Sequence, residues 1–136
     1  MTVLADTSVW VDFLKAGARG PGAGLATLLR DREVVLCGIV VAELLAGTRP
    51  AQREAVWTLL SGLPWLELRA RGWRRVGELG GDARARGYTL PLTDIQIAVL
   101  ALEHRVRLWS RDAHFAQIQA VAPALARYEP EGGDTR

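Results

Sequence analysis

The sequence is poor in the residues that carry most covalent and soft-metal chemistry. Cys37 is its only cysteine, Lys15 its only lysine, and His104 and His114 its only histidines. One thiol forms no internal disulfide, and it lies in the apolar run Val34-Val35-Leu36-Cys37, where it reads as a small core residue. The cysteine and histidine counts do not supply a zinc site of the usual kind. Neither histidine has a serine or cysteine partner at a recognisable spacing, which argues against a nucleophilic triad and leaves both as structural residues. A receiver domain that accepts a phosphoryl group needs a lysine late in the chain, and the only one here is Lys15. Long apolar runs are missing as well. None approaches the roughly 20 residues that cross a bilayer, and the N-terminus lacks the basic, apolar and small-residue order of a signal peptide. The expected compartment is therefore the cytoplasm, with no membrane partner.

What is present suits one globular domain. A chain of 136 residues is long enough to bury roughly two thirds of its unfolded surface without a metal or disulfide staple. A hydrophobic fraction of 49% with 24% charged residues sets aside disordered and fibrous classes. We expect residues 1–130 to form that domain and 131–136 to be a polar tail. The net charge of +2 is carried on the positive side almost wholly by arginine. The guanidinium fork binds phosphates bidentately, so the charge is compatible with a polyanionic partner, although a genome bias toward arginine codons gives the same count.

The apolar pattern alternates between strand and helix. Thr2 to Ala5 reads as a first strand and Ser8 to Lys15 as a short helix, with Thr7 and Ser8 as capping residue types. A Gly-Pro-rich connection follows, then a helix through Leu25, Leu28 and Leu29, and a second strand from Glu33 to Cys37. Ile39 to Ala46 and Arg53 to Leu60 form a helical hairpin, with Gly47 as the first stop signal. Trp65 to Leu68 reads as a third strand. Trp73 to Arg86 is a helix weakened by Gly77, Gly80 and Gly81, on which Arg74 and Glu78 pair at i,i+4. Thr93 and Gln96 form a capping box for a helix that runs to about His104. Val106 to Ser110 is a fourth strand, Asp112 caps a helix over Phe115 to Val121, and Leu125 to Tyr128 is a candidate edge strand. Strands separated by helices imply a mostly parallel sheet of four to five strands with helices on both faces, an α/β class.

Four acids stand out in this frame. Asp6 and Asp112 follow strands, Asp94 opens a helix, and Glu43 sits in the apolar helix after the second strand. Each has an ordinary explanation: a cap for Asp6 and Asp112, a favourable helix dipole for Asp94, a solvated edge for Glu43. In a parallel sheet, however, all four can converge at the carboxyl ends of the strands, where open α/β sheets bind ligands. Clustered carboxylates repel one another unless a cation neutralises them, and all-oxygen ligands select hard ions such as Mg²⁺ or Mn²⁺.

The stretches around these acids resemble a known family. Asp6-Thr7-Ser8-Val9-Trp10 with Val11-Asp12-Phe13-Leu14, then Val41-Ala42-Glu43-Leu44-Leu45-Ala46-Gly47, then Leu90 to Ala98, then Ser110-Arg111-Asp112-Ala113-His114-Phe115 resemble the PIN domain. More closely, they resemble the VapC ribonuclease toxins of bacterial type II toxin–antitoxin pairs. The similarity covers residues 2 to about 128, with the acids in the family order; serine at position 110 replaces a frequent threonine and keeps its hydroxyl. The resemblance implies a three-layer α/β/α sandwich and a Mg²⁺- or Mn²⁺-dependent endoribonuclease that hydrolyses RNA by metal-activated water. It implies catalytic and metal-binding roles for Asp6, Glu43, Asp94 and Asp112, a homodimer, and a cognate antitoxin that blocks the site. Ser8 and Ser110 are then candidates for hydrogen bonds that orient the acids.

Other features are weighed beside this. Arg71, Trp73, Arg74 and Arg75 interleave basic and aromatic side chains as single-stranded RNA surfaces do, or else form a solvated helix face. Asp12 is expected to be structural, and Glu78 and Asp82 a solvated face. Trp57 is a candidate contact for an antitoxin or second subunit. Two other functions remain open at this level: a structure-specific DNA nuclease, for which the chain is short, and a catalytically silent PIN-like interaction module.

Overall fold

The alternation read from the sequence becomes one parallel sheet. In the computed structural model, which describes residues 1–130, the strands are β1 (Val3–Ala5), β2 (Val34–Cys37), β3 (Trp65–Leu66) and β4 (Arg107–Trp109), in the order β3-β2-β1-β4. Leu4 lies beside Val35 of β2 on one side and Leu108 of β4 on the other, and Leu36 lies beside Trp65 of β3. Every residue of β1 and β2 is buried, as parallel strands covered on both faces must be.

Among the described residues seven α-helices cover it: α1 (Thr7–Ala16), α2 (Gly24–Arg30), α3 (Gly38–Ala46), α4 (Arg53–Ser61), α5 (Ala70–Ala85), α6 (Leu92–His104) and α7 (His114–Val121). Handedness decides which face each helix takes. The chain steps outward from β1 to β2 and β3, then crosses back past β1 to β4. Right-handed crossovers in opposite directions put their helices on opposite faces. Accordingly α1 packs against α2 and α3, and α3 against α4, while α5, α6 and α7 pack against one another. This is the α/β/α sandwich expected from the sequence.

Helix α6 is the most buried of the seven, with Ile95 and every residue from Ile97 to Ala101 out of solvent. A helix that is apolar on nearly all sides must lie between layers, and each fully buried Ile or Leu contributes about 1.5–3 kcal/mol. Helix α5 lies close along it. A Cβ at Gly72 would stand 2.7 Å from Leu68 Cδ2 and 2.9 Å from both Glu103 carboxylate oxygens, and one at Gly80 3.3 Å from Leu92 Cδ2. Residue 72 therefore faces residue 103 and residue 80 faces residue 92, so the two helices run antiparallel. The glycines expected to weaken α5 do not interrupt it.

The ends of elements differ from the sequence reading. Asp6, rather than Thr7 or Ser8, caps α1, its carboxylate accepting from the Val9 amide. The Thr93–Gln96 capping box does not form. Pro91, with φ at −62°, turns the chain into α6 at Leu92 with no side-chain cap, so Thr93 already lies inside the first turn. Helix α7 starts at His114 after Ala113, and Asp112 satisfies the His114 amide from one residue further out, at 2.9 Å. The candidate edge strand at Leu125 to Tyr128 reduces to a single parallel bridge between Leu108 and Arg127, because β4 offers only a short edge, so the described residues hold a four-stranded sheet. The polar tail, 131–136, lies outside the described residues. Among those described, no helix is long and apolar enough to cross a membrane.

Candidate active site

The strand order positions the site. β1 is joined through its crossover to β2 on one side and has β4 on the other, so chain direction switches between β1 and β4. Ligands of open α/β sheets bind beyond the carboxyl ends of the strands at such a switch. Asp6 follows β1 directly, and Ser110-Arg111-Asp112 follow β4.

Asp6 is 5% exposed. Its Oδ1 accepts from Ser8 Oγ at 2.5 Å and from the Val9 amide at 3.4 Å, and its Oδ2 accepts from Ser110 Oγ at 2.5 Å. The serines extend the network, since Ser110 Oγ accepts from the Asp112 amide and Ser8 Oγ from the Arg111 amide. The two loops that leave β1 and β4 are thereby bound together around one carboxylate. Burial raises the Asp6 carboxyl above its ordinary value; the Ser110, Ser8 and Val9 donors oppose that, and the charge of Asp112 adds to it.

Asp94, in the first turn of α6, is brought to the same place. Its Oδ2 lies 2.7 Å from His114 Nδ1, which is itself 3.3 Å from Asp112 Oδ1. One ligating atom from each of Asp94, Asp112 and His114 lies within 4.8 Å of the others. Burial is again the main cause that raises the Asp94 carboxyl; the His114 bond opposes it, and the neighbouring charges of Asp112 and Glu43 add to it. Glu43 is exposed on α3 and accepts from Thr7 Oγ1 at 2.7 Å. It stands at the margin of the group, near enough for its charge to act on Asp94.

The four acids singled out in the sequence thus share one end of the sheet, with Asp94 and Asp112 paired closely and Asp6 joined to Asp112 through Ser110. His114 was missed. The sequence reading made it structural, yet it stands within the acidic group, because two residues after Asp112 the chain has only begun α7 and the ring still faces the crevice. Its spacing from Asp112 was the available signal. Two adjacent carboxylates and an imidazole nitrogen form a donor set that fits a divalent cation, whose charge would offset their repulsion.

The remaining candidates lie elsewhere. Arg71, Trp73, Arg74 and Arg75 are exposed on the first half of α5. Gly72 faces Glu103, at the far end of α6 from Asp94, so this end of α5 stands about 13 Å along α6 from Asp94 at 1.5 Å per helical residue. Arg74 pairs with Glu78 at 3.3 Å in solvent, and Asp82 is exposed. Asp12 pairs with Arg111 and so ties α1 to the loop after β4. Trp57 meets Trp65 edge to face, with centroids 5.9 Å apart.

Comparison with known proteins follows the same outline. The pattern of the PIN domain matches residues 3–121. The chain belongs to the PIN domain family. Among curated PIN domain relatives, Ribonuclease VapC32 of Mycobacterium tuberculosis is 34% identical over 111 residues, covering 81% of this chain and 84% of the relative. Ribonuclease VapC11 of the same organism is 29% identical over 124 residues, covering 88% and 92%. Among solved structures, VapBC2 from Rickettsia felis bound to a promoter DNA fragment superposes with a TM-score of 0.73 at 21% identity, over 94% of this chain and 98% of that one. DNA-bound VapBC from Salmonella typhimurium superposes with a TM-score of 0.74 at 16% identity, over 94% and 97%. At such identities the structural likeness establishes the fold, and with it the frame in which this PIN domain holds its acids.

Proposed function

We propose that this PIN domain, formed by residues 1–130, is a Mg²⁺- or Mn²⁺-dependent endoribonuclease, the toxin of a toxin–antitoxin pair. The observation that carries the reading is the meeting of Asp94, Asp112 and the Ser110-linked Asp6 at the β1–β4 switch point. That its relatives include Ribonucleases VapC11 and VapC32 and its structural neighbours include VapBC supports RNA as the substrate class and a cognate antitoxin as the partner. A homodimer and a cytoplasmic setting belong to the same reading.

In this proposal Asp94 and Asp112 hold the cation, with Asp6 and Glu43 completing the negative environment. The chemistry a divalent ion would supply there is a more acidic bound water and compensation of charge on the scissile phosphate. Ser8 and Ser110 fix the rotamer of Asp6, and through the Asp112 amide Ser110 fixes the loop that presents Asp112. Such orientation matters because catalytic carboxylates lose efficiency when they are displaced by even about 1 Å. Water would attack phosphorus in line with the P–O3′ bond; that bond breaks, O3′ leaves and takes up a proton as the 3′-hydroxyl, and the phosphate stays on the 5′ side. Arg71, Trp73, Arg74 and Arg75 serve as a distant track for the RNA strand, by phosphate contact and stacking.

The test is cleavage of total cellular RNA by the purified protein in Mg²⁺ or Mn²⁺, beside a chelator control and the Asp94→Asn variant. Cleavage confined to the metal-loaded wild type supports the proposal. Undiminished cleavage in excess chelator or in Asp94→Asn refutes it. Cleavage of structured DNA but not RNA assigns a DNA nuclease, and no cleavage of either assigns an interaction module.

A further inference from the structure

Within the reading that these acids hold a divalent cation, the placement of His114 has a consequence that the carboxylates alone do not. We propose that His114 Nδ1 is a ligand of that cation and biases the site of this chain toward Mn²⁺ over Mg²⁺. The side chain is 38% exposed on the crevice, and its Nδ1 stands 2.7 Å from Asp94 Oδ2 and 3.3 Å from Asp112 Oδ1. With one oxygen from each acid it makes three donor atoms that lie within 4.8 Å of one another, close enough to share one cation. The ring is held there from below. Its own amide donates to Asp112 Oδ1 at 2.9 Å, and the next residue, Phe115, is fully buried and anchors the start of α7.

The chemistry of the donor set points to the metal. A third carboxylate would add negative charge to a group whose members already repel one another, whereas a neutral imidazole adds a donor and no charge. Carboxylate and water oxygens suit Mg²⁺ and Mn²⁺ alike, but Mg²⁺ dehydrates reluctantly and keeps its waters, whereas Mn²⁺ opens the first-row series whose members also take nitrogen donors, so of the two an imidazole in the set favours Mn²⁺. To hold a cation, Nδ1 would present its lone pair, with the ring's N–H on Nε2.

The experiment is titration of Mn²⁺ into metal-free protein, followed by electron paramagnetic resonance, with Mg²⁺ as competitor and pulsed spectra read for nitrogen coupling to bound Mn²⁺. Wild type, Asp94→Asn, His114→Ala and His114→Asn are compared, with circular dichroism confirming that each is folded. Wild type is expected to show nitrogen coupling. His114→Ala is expected to lose it and to bind Mn²⁺ about 10–100-fold more weakly, on the scale of losses at metal-linked histidines, with a smaller change for Mg²⁺. His114→Asn, which places an amide oxygen near the Nδ1 position, is expected to recover Mn²⁺ binding without the nitrogen signal or the preference over Mg²⁺. Absence of nitrogen coupling in wild type, or an unchanged Mn²⁺ to Mg²⁺ ratio in His114→Ala, overturns the proposal. If Mn²⁺ binding is instead unaffected by Asp94→Asn, the carboxylate site itself is wrong, which separates the two failures.

Discussion

Replacing Asp6 by Asn in the metal-free protein is expected to make it more stable at neutral pH. The carboxylate is 5% exposed, and burial raises its pKa from the ordinary 3.8 in spite of donors from Ser110, Ser8 and Val9. The fold therefore disfavours the ionised form on balance. Desolvating a carboxylate costs several kcal/mol, and the three donors return part of this. The Asn amide turns one donor against Ser110 Oγ, whose hydrogen then loses its acceptor, at about 1 kcal/mol. A net gain of about 1–2 kcal/mol remains, or roughly 3–8 °C in Tm for a domain of this size. The sign can be checked against pH. Between 3.8 and the raised folded value, the folded state binds more protons than the unfolded state, so wild-type stability falls as pH rises through that window. The variant lacks this contribution, so its advantage is absent near pH 4 and complete above the window. Thermal unfolding followed by circular dichroism in chelator at pH 4, 6 and 8 measures it. A variant less stable than wild type at pH 8, or a difference independent of pH, would refute the reasoning.

Three other outcomes follow from the same geometry. Mn²⁺ at 100 times its dissociation constant should stabilise wild type by about 2.7 kcal/mol, and Asp94→Asn should lose most of that gain; calorimetry with and without the ion decides it. Gly77→Ala and Gly81→Ala, where a Cβ meets nothing within 4 Å, should each gain about 0.5–1 kcal/mol in urea unfolding, whereas Gly72→Ala should gain less because Leu68 and Glu103 must move. Asp12→Asn removes a partly exposed pair with Arg111 and should cost no more than about 1 kcal/mol, with the effect shrinking as salt is added.

Much of the fold was legible because apolar periodicity and turn residues are local signals. β1 and β2 are short runs of buried residues, β4 buries Leu108 and Trp109 behind an exposed Arg107, and α6 announces itself through consecutive apolar residues from Ile97 to Ala101. Element ends were less legible, since they depend on which of several competent residues captures a backbone group. Thr93 and Gln96 had the right types and spacing for a cap, but Pro91 committed the chain to helix before Thr93 could act. The glycines of α5 show the same limit from another side. Local propensity counts them as weaknesses, while Gly72 and Gly80 are where α6 comes closest. Only tertiary contact reveals that.

The acids were legible for a different reason than the histidine was not. Asp6, Asp94, Asp112 and Glu43 each had an ordinary explanation taken singly, but carboxylates that can all converge on one end of a parallel sheet call for a cation, so together they pointed to one site. His114 violates nothing. An intermediate residue at a helix start is unremarkable until the 20-residue gap back to Asp94 is closed by the packing of α6 against α7. Its relation to Asp94 is set by topology: α6 leads into β4 and α7 follows it, so that both helices begin at the carboxyl end of the sheet. A residue whose role arises from convergence rather than from its own misfit is invisible to a reading that searches for misfits. The converse also holds: the Arg and Trp cluster of α5 drew attention by its composition, and the antiparallel packing of α5 on α6 then set it at the end of the molecule away from the acids.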